Sequence, residues 1–565
     1  MRKRTIRILI AILALLMIWQ GAEAAVAEAP AADGLVAEAA AAEAPAADGP
    51  VVETTEPETT GEPVWSGLYS LDPAGEYALF TDLVDGYSLL VDRDMQVDMS
   101  YSSVCAVLEN EDKRIEIYKE DVRKIGKQTY IQYSNRFLNN QIDHFLEFNG
   151  QQKIGKHTIS LTAWSREKLK RVDRDKNHYV CIELAEGNYV YTIFIKAAAP
   201  VYLLGGYAYL VEAFDTAPAT APAYTQSTVS VKAEERGWNS ETRWFYDAFF
   251  GDDAPLAWGI FEPKTAAFDF TRIERYEDAF SYTFPILLYY SEFQEGGSHP
   301  YLKRMLESAY DHGKVLELTL QTGATKDGGN QVYDVLNGEY DAFLQYYAET
   351  VADFQHPVLF RLGNEMNGDW CPYSSWHTAK DTAIYRAFYR YVYGFFERAE
   401  ADNVIWVWNP NGGSYPDFKW NHELMYYPGD TFVDIVGMTR YNTGTYYSNF
   451  GEKWREFDEL YDALYLSYTT RYTQPLMITE FASASMGGDK EQWVERMFAH
   501  IGQYPRIKAA VWWDYYDRDA AGNLSRSYLI EETQALMDIF RQNLRQSAPA
   551  ALIGLSLSQD VPVLP

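Results

Sequence analysis

The chain has 565 residues, 47% of them hydrophobic and 15% aromatic, which gives enough apolar surface for more than one large core and excludes a fibrous or wholly disordered protein. Acidic residues outnumber basic ones by 80 to 49, and a net charge of -31 repels phosphate backbones and anionic membranes, so no nucleic-acid partner is expected. Three cysteines are too few for a disulfide scaffold or a zinc site.

Arg2, Lys3, Arg4 and Arg7 precede the apolar run Ile8 to Ile18, and the small-x-small site Ala22-Glu23-Ala24 follows. Residues 1–24 therefore have the layout of a secretory signal peptide, with an apolar run too short to span a bilayer comfortably. No cysteine follows that run to suggest a lipid anchor. The protein is expected to be secreted or associated with the cell envelope, with no transmembrane span after cleavage. Residues 25–63 are rich in Ala, Glu, Pro and Thr, and the octapeptide at 27–34 returns unchanged at 42–49. Such a segment has too little apolar surface to offset its ordering entropy and reads as a disordered linker.

Residues 64–199 carry period-two alternation in Arg114–Tyr118, His157–Thr162, His178–Leu184 and Tyr189–Ile195. This pattern predicts a smaller β-rich (α+β) domain, mainly an antiparallel sheet with one solvated face. Cys105 and Cys181 fall within it, and a disulfide between them and two buried thiols are both open. A packing role for this domain is favoured over carbohydrate binding, because a fold alone does not give a function. Residues 200–253 form a connecting segment whose aromatic end, Trp238 to Phe250, is expected to pack on the next domain.

From 254 to 547 the rhythm becomes strand, loop, helix. Strands are predicted at Leu256–Phe261, Phe284–Tyr290, Lys314–Thr322, Pro357–Asn364, Val404–Asn409, Asp434–Met438, Leu476–Thr479 and Ala509–Trp513. Helices fall between them, as at Tyr340 to Phe354 and Thr382 to Ala401, where Ile384, Phe388, Tyr391, Phe395 and Ala399 recur at helical spacing. Eight such units predict an α/β architecture, a (β/α)8 TIM barrel. Residues 548–565 form a C-terminal tail without periodicity.

In such a barrel the reactive residues sit at the C-terminal ends of the strands. Strand four delivers Asn364 and Glu365, followed by an aromatic loop with Trp370 and Trp376; strand seven ends on Glu480. Two strand-end glutamates near tryptophans suit acid/base and nucleophilic work on a sugar. Arg361, on strand four itself, needs a carboxylate partner if buried and favours the ionised form of its neighbour. Asn364 is placed to hydrogen-bond a sugar hydroxyl beside the acid. Trp370, Trp376, Trp408, Trp512 and Trp513 offer flat faces for sugar rings, although Trp512 and Trp513 alternate on one strand, so at most one of the two faces a pocket. The run Asp517 to Gly522 starts like a calcium loop, but Ala at its fifth position and the missing twelfth-position Glu make it an ordinary loop, and no metal is expected.

The run Arg361-x-x-Asn364-Glu365-Met366-Asn367-Gly368-Asp369-Trp370, together with Thr479-Glu480, resembles strands four and seven of the clan A (β/α)8 glycosidases and most resembles glycoside hydrolase family 26, the β-mannanases. The resemblance covers the barrel, about half of the chain. It implies retaining, double-displacement hydrolysis of a β-linked, mannan-type polysaccharide by an endo-acting enzyme that needs no cofactor; a monomer is expected. It also implies Glu365 as acid/base, Glu480 as nucleophile, and Tyr441, just after strand six, as the hydroxyl that donates to the nucleophile. A β-glucanase or xylanase, an exopolysaccharide-processing glycosidase and a catalytically inactive carbohydrate-binding envelope protein are the alternatives, and intact Glu365 and Glu480 argue against the last. The chain departs from the family at two positions expected near the substrate. Mannanases commonly carry His before the acid, here Asn364, and often Asp two positions before the strand-six tyrosine, here Thr439.

Overall fold

The computed structural model describes residues 67–225 and 235–544. The expected signal peptide (1–24), linker (25–63) and tail (548–565) lie outside the described residues.

The first domain begins with the strands β1 (Tyr69–Ala74), β2 (Tyr77–Asp82), β3 (Tyr87–Asp92), β4 (Gln96–Asp98), β5 (Ala106–Glu109) and β6 (Lys113–Asp121), and helix α1 (Lys127–Ser134) follows. It continues through β7 (Phe145–Ile154), β8 (His157–Ser165), β9 (His178–Glu186), β10 (Tyr189–Ala197), helix α2 (Ala208–Glu212) and β11 (Asp215–Thr216). All pairings are antiparallel: a 4-stranded sheet in the order β1-β2-β3-β11 and a 7-stranded sheet in the order β4-β5-β6-β10-β9-β8-β7. Because β11 pairs with β3, the antiparallel unit runs on to Thr216, past residue 199.

The expected solvated face is absent from the centre of the larger sheet. Ile117, Ile182 and Ile193 pack on Phe80 and Leu89 of the small sheet. On the opposite face Trp164, Tyr179 and Phe194 join the core of the second domain. Alternation in β9 and β10 therefore separates two buried faces, which the simple apolar/polar reading does not anticipate. Cys105 and Cys181 are separate, buried thiols; their Sγ atoms lie 3.7 Å from Met425 Sδ and 3.4 Å from Glu183 Oε1.

Helix α3 (Ser240–Phe250) starts at Asn239, whose side chain accepts from the Thr242 N–H. Its Phe245, Phe249 and Phe250 share one cluster with the barrel-interior residues Ile286, Leu359, Ile405 and Val511, so the aromatic end of the connector closes the barrel floor.

The barrel strands are β12 (Ala257–Phe261), β13 (Ile286–Glu292), β14 (Val315–Gln321), β15 (Val358–Leu362), β16 (Val404–Trp408), β17 (Ile435–Thr439), β18 (Leu476–Phe481) and β19 (Ile507–Trp513). They are parallel and closed, with Ala257 of β12 in register with Ala509 of β19. Every residue of β15, β16 and β17 is buried, as expected of strands covered on both faces. Closure depends on small side chains: a Cβ at Gly437 would stand 2.6 Å from the Thr479 side chain.

The outer helices are α4 (Thr271–Phe280), α5 (Leu302–Asp311), α6 (Gln331–Leu336), α7 (Asp341–Phe354), α8 (Thr382–Arg398), α9 (Phe457–Arg471), α10 (Lys490–His500) and α11 (Gln534–Asn543). One unit departs from the expected eight strand-helix repeats. Between β16 and β17 the chain makes short 3-10 turns at Lys419–Asn421, Glu423–Tyr426 and Asp430–Phe432 instead of an α-helix. Pro410, Gly412, Gly413, Pro416, Pro428 and Gly429 interrupt that stretch, and each disfavours a continuous helix.

Candidate active site

Strand β15 ends at Leu362, and the next three residues turn sharply. Gly363 and Glu365 both have φ of 54°, a left-handed conformation that glycine adopts freely and glutamate does not. The Glu365 N–H donates to the Asn409 carbonyl at 2.7 Å, which holds the turn on the end of β16. Two side chains then fix its carboxylate: Asn411 Nδ2 donates to Oε1 at 2.5 Å and Trp370 Nε1 to Oε2 at 3.1 Å. Trp370 can fold back this closely because residue 368 is glycine; a Cβ there would be 2.5 Å from the indole ring. Burial, then the nearby Glu480 charge, raise the Glu365 pKa to about 7, against the opposing hydrogen bonds from Asn411 and Trp370.

Glu480, on β18, has a different environment. Tyr290 OH donates to its Oε2, and Arg361 Nη2 lies 3.3 Å from the same oxygen. Arg361 is itself locked: Nε donates to Thr319 Oγ1 at 2.7 Å, Nη1 to Asn409 Oδ1 at 3.0 Å and Nη2 to Tyr290 OH at 2.9 Å. One carboxyl is thus biased toward its acid form while the other faces a cation and a hydroxyl donor, a division that suits two different roles.

Both glutamates line one cavity of about 170 Å³ at the C-terminal end of the barrel, with Phe261, Tyr290, Gln321, Asn364, Tyr441, Trp513 and Tyr528. Trp513 stacks on Phe261 at 3.8 Å and 11°, a flat aromatic wall. Gln321 Nε2 donates to Asn364 Oδ1 at 2.7 Å and so orients that amide beside Glu365.

Of the residues read from the sequence, Glu365, Glu480, Asn364, Tyr441 and Trp513 line the cavity, Arg361 lies beneath Glu480, and Trp370 bonds Glu365. Three tryptophans lie elsewhere. Trp376 packs on Tyr133 of the β-rich domain and parallel to Trp420, at centroid distances of 4.6 and 6.4 Å. Trp408 is fully buried between Tyr427 and Tyr472, because even-numbered residues of β16 point outward while Ile405 and Val407 point in. Trp512 likewise points outward, against Phe481 and Phe540, and donates to the Tyr528 carbonyl at 2.9 Å.

Two expectations about neighbouring positions change as well. The hydroxyl that donates to Glu480 belongs to Tyr290 of β13; Tyr441 instead sets its ring edge-on to Trp513 and against Tyr528. Thr439 is fully buried and is not among the residues lining this cavity: its Oγ1 accepts from Asn409 Nδ2 at 3.2 Å and lies 3.2 Å from Thr479 Oγ1. Tyr290, Gln321 and Asn411 were not singled out in the sequence. Tyr290 and Gln321 lie at or near the C-terminal ends of their predicted strands, which is the positional signal that could have found them.

Among the described residues no group of three His, Cys, Asp or Glu side chains could hold a metal ion. Asp517 to Gly522 belongs to a hairpin of β20 (Tyr516–Arg518) and β21 (Leu524–Ser527). Asp519 ties its turn by accepting from the Ala521 and Asn523 N–H groups at 3.0 and 2.7 Å.

Residues 307–493 match the model described as Glycosyl hydrolase family 26. Endoglucanase H of Acetivibrio thermocellus is 30% identical over 215 residues, 36% of this chain and 22% of that protein. A mannan endo-1,4-beta-mannosidase of Bacillus subtilis (strain 168) is 30% identical over 140 residues, 23% of this chain and 37% of that protein. The chain therefore spans well under half the length of either relative. A solved Bacillus subtilis mannanase overlaps 54% of this chain and 94% of its own, at 21% identity and a TM-score of 0.37.

Proposed function

The barrel of this chain belongs to glycosyl hydrolase family 26, and from that premise we propose that the protein is a retaining glycosidase that cleaves a β-linked, mannan-type polysaccharide. The observation that carries this reading is the pairing in one cavity of Glu365, raised to about 7, with Glu480, which faces Arg361 and Tyr290.

In the first step Glu480 attacks the anomeric carbon while the Glu365 proton passes to the departing glycosidic oxygen. A covalent glycosyl-enzyme forms, and Glu480 loses its charge. The like-charge repulsion that helped to raise Glu365 then disappears, so its pKa falls and Glu365 stays ionised, a carboxylate able to take a proton from water. That water releases the sugar from Glu480 with net retention. Arg361 and Tyr290 contact the Glu480 carboxylate at the start and meet it again at the end. The Trp513 face suits an apolar sugar ring, and Asn364, held by Gln321, suits a hydroxyl beside the acid.

A β-glucan is the second substrate reading. Asn364 stands where the mannanases commonly have His, and one relative is named an endoglucanase. Export is supported by the signal-like residues 1–24. The test is reducing-sugar release from mannan, glucomannan, mixed-linkage glucan, cellulose and xylan by residues 25–565, with Glu480→Ala as control. Release that vanishes in the variant supports the reading, and the best substrate assigns specificity. No release by the wild type on any of these glycans counts against a polysaccharide hydrolase of this class.

A further inference from the structure

One layer below the cavity, β14 points Glu317 into the barrel. Its side chain is fully buried, and its register partners are Leu288 on β13 and Leu359 on β15, both part of the apolar interior. Arg361 Nε lies 3.2 Å from Oε1, but it directs its hydrogen bond to Thr319 Oγ1. Among the described residues neither Glu317 oxygen accepts a hydrogen bond. The remaining guanidinium donors go to Asn409, Tyr290 and Glu480.

Arg361 is one cation between two carboxyl groups, Glu317 below and Glu480 above. If both were ionised, Glu317 would be a buried anion with no donor, and it would draw the guanidinium's field away from Glu480. The groups facing Glu317 that bear on its ionisation are Arg361 from β15, which opposes neutralisation, and Glu480 from β18, which favours it; Tyr290 from β13 and Asn409 after β16 meet it only through Arg361. Burial is the largest influence and raises the Glu317 pKa to about 8.

We propose that Glu317 is a positioning residue carried as the neutral acid, filling the space behind Arg361 without competing for its charge, so that the guanidinium acts on Glu480. This rests on the glycosidase reading, in which Glu480 is the nucleophile. When Glu317 ionises at alkaline pH, the field on Glu480 is shared and the nucleophile is less well held.

The experiment compares the wild type with Glu317→Gln and Glu317→Leu, all shown to be folded by thermal unfolding. The first readout needs no activity: the infrared C=O stretch of a protonated carboxylic acid at pH 6, taken as wild type minus Glu317→Gln. A positive band is expected, and its absence overturns the proposal. The second readout is kcat/KM on an aryl glycoside whose leaving group needs no acid. Glu317→Leu is expected to lose about tenfold or more, and Glu317→Gln to recover most of that loss, as for a group that acts through another. The wild type is expected to decline near pH 8 and Glu317→Gln to lack that decline. A Gln variant as impaired as Leu shows that the negative charge is needed, and a Leu variant equal to wild type shows that the group positions nothing; either result overturns the proposal. A wild type that cleaves no glycoside fails the glycosidase reading instead, and the infrared band still decides the protonation of Glu317.

Discussion

Lys196 on β10 and Asp381 at the N-terminus of α8 form an ion pair of 2.6 Å across the junction of the two domains, with their side chains 2% and 4% exposed. Asp381 also accepts from Tyr179 OH at 3.0 Å and caps α8 through the Ala383 N–H at 3.0 Å. Lys196 reaches Glu116 as well, at 2.8 Å. The face of the large sheet on which a sugar-binding surface would be sought is therefore spent on the barrel, and the β-rich domain braces the loop that follows Glu365.

Lys196→Met tests that brace. It leaves Glu116 and Asp381 buried with less compensation, so unfolding free energy is expected to drop by about 3–5 kcal/mol, as for other buried pairs broken on one side. Urea denaturation measures it. Glu116 is held far below the usual carboxylate range, against burial, by Lys196 and Arg114. Its contribution is present above its unfolded value of 4.5 and fades as pH falls, so the gap between wild type and variant should narrow in acid. A loss under about 1 kcal/mol would mark the pair as no stronger than a surface one.

Trp370→Phe keeps an aromatic ring and removes the N–H that donates to Glu365. That bond stabilises the charged carboxylate, so its loss should raise the Glu365 pKa further above about 7. The alkaline limb of kcat is expected to move up by about one pH unit, equivalent to about 1.4 kcal/mol of differential stabilisation. A limb that stays in place or moves down would show that Trp370 does not act on the acid.

The barrel was legible because each strand is a short, nearly continuous apolar run bounded by polar turns, and the eight runs at Ala257 through Trp513 lie where the pattern predicts within a few residues. Glu365 and Glu480 were legible because each ends such a run. The tryptophans were harder: Trp408 and Trp512 differ from Trp513 only in which face of the strand they occupy, and a fully buried strand shows no alternation from which to read it. Tyr290 directly follows Tyr289, both are half-buried, and nothing in the pair of tyrosines says which one reaches Glu480. Asn411 comes from an irregular loop, where the spacing of residues sets no direction. Glu317 sits in the middle of an apolar run, where its partner Arg361 is on another strand.

Glu365→Gln tests the proposed acid role of Glu365 through stability as well as rate. The folded-state pKa is raised from 4.5 to about 7, so the folded protein holds a proton that the unfolded chain releases. The favourable contribution is present below pH 4.5 and is lost as pH rises toward 7. Glu365→Gln should remove this slope and gain melting temperature relative to wild type at pH 8 more than at pH 4.5. Differential scanning calorimetry at the two pH values measures it, and an equal offset at both would show that Glu365 titrates normally.

Tyr290→Phe and Tyr441→Phe together decide which hydroxyl serves Glu480, the proposed nucleophile. Tyr290 OH donates to Glu480 and accepts from Arg361 Nη2 at 2.9 Å, so one atom links the cation to the carboxylate. Burial raises the Tyr290 pKa far above the ordinary value, more than the opposing Arg361 charge lowers it, and the group remains a donor across the working pH range. Losing this donor removes a preorganised contact at the atom where charge disappears and returns, and such contacts are worth about 10²- to 10³-fold in kcat. KM should change little, since the hydroxyl addresses the reacting carboxylate rather than the sugar. Tyr441 lines the same cavity but packs on Trp513 and Tyr528, so Tyr441→Phe removes a hydroxyl and leaves that packing in place, and a loss below about tenfold is expected. Steady-state kinetics on the best polysaccharide substrate measure both, and a larger loss for Tyr441→Phe than for Tyr290→Phe would return the donor role to Tyr441.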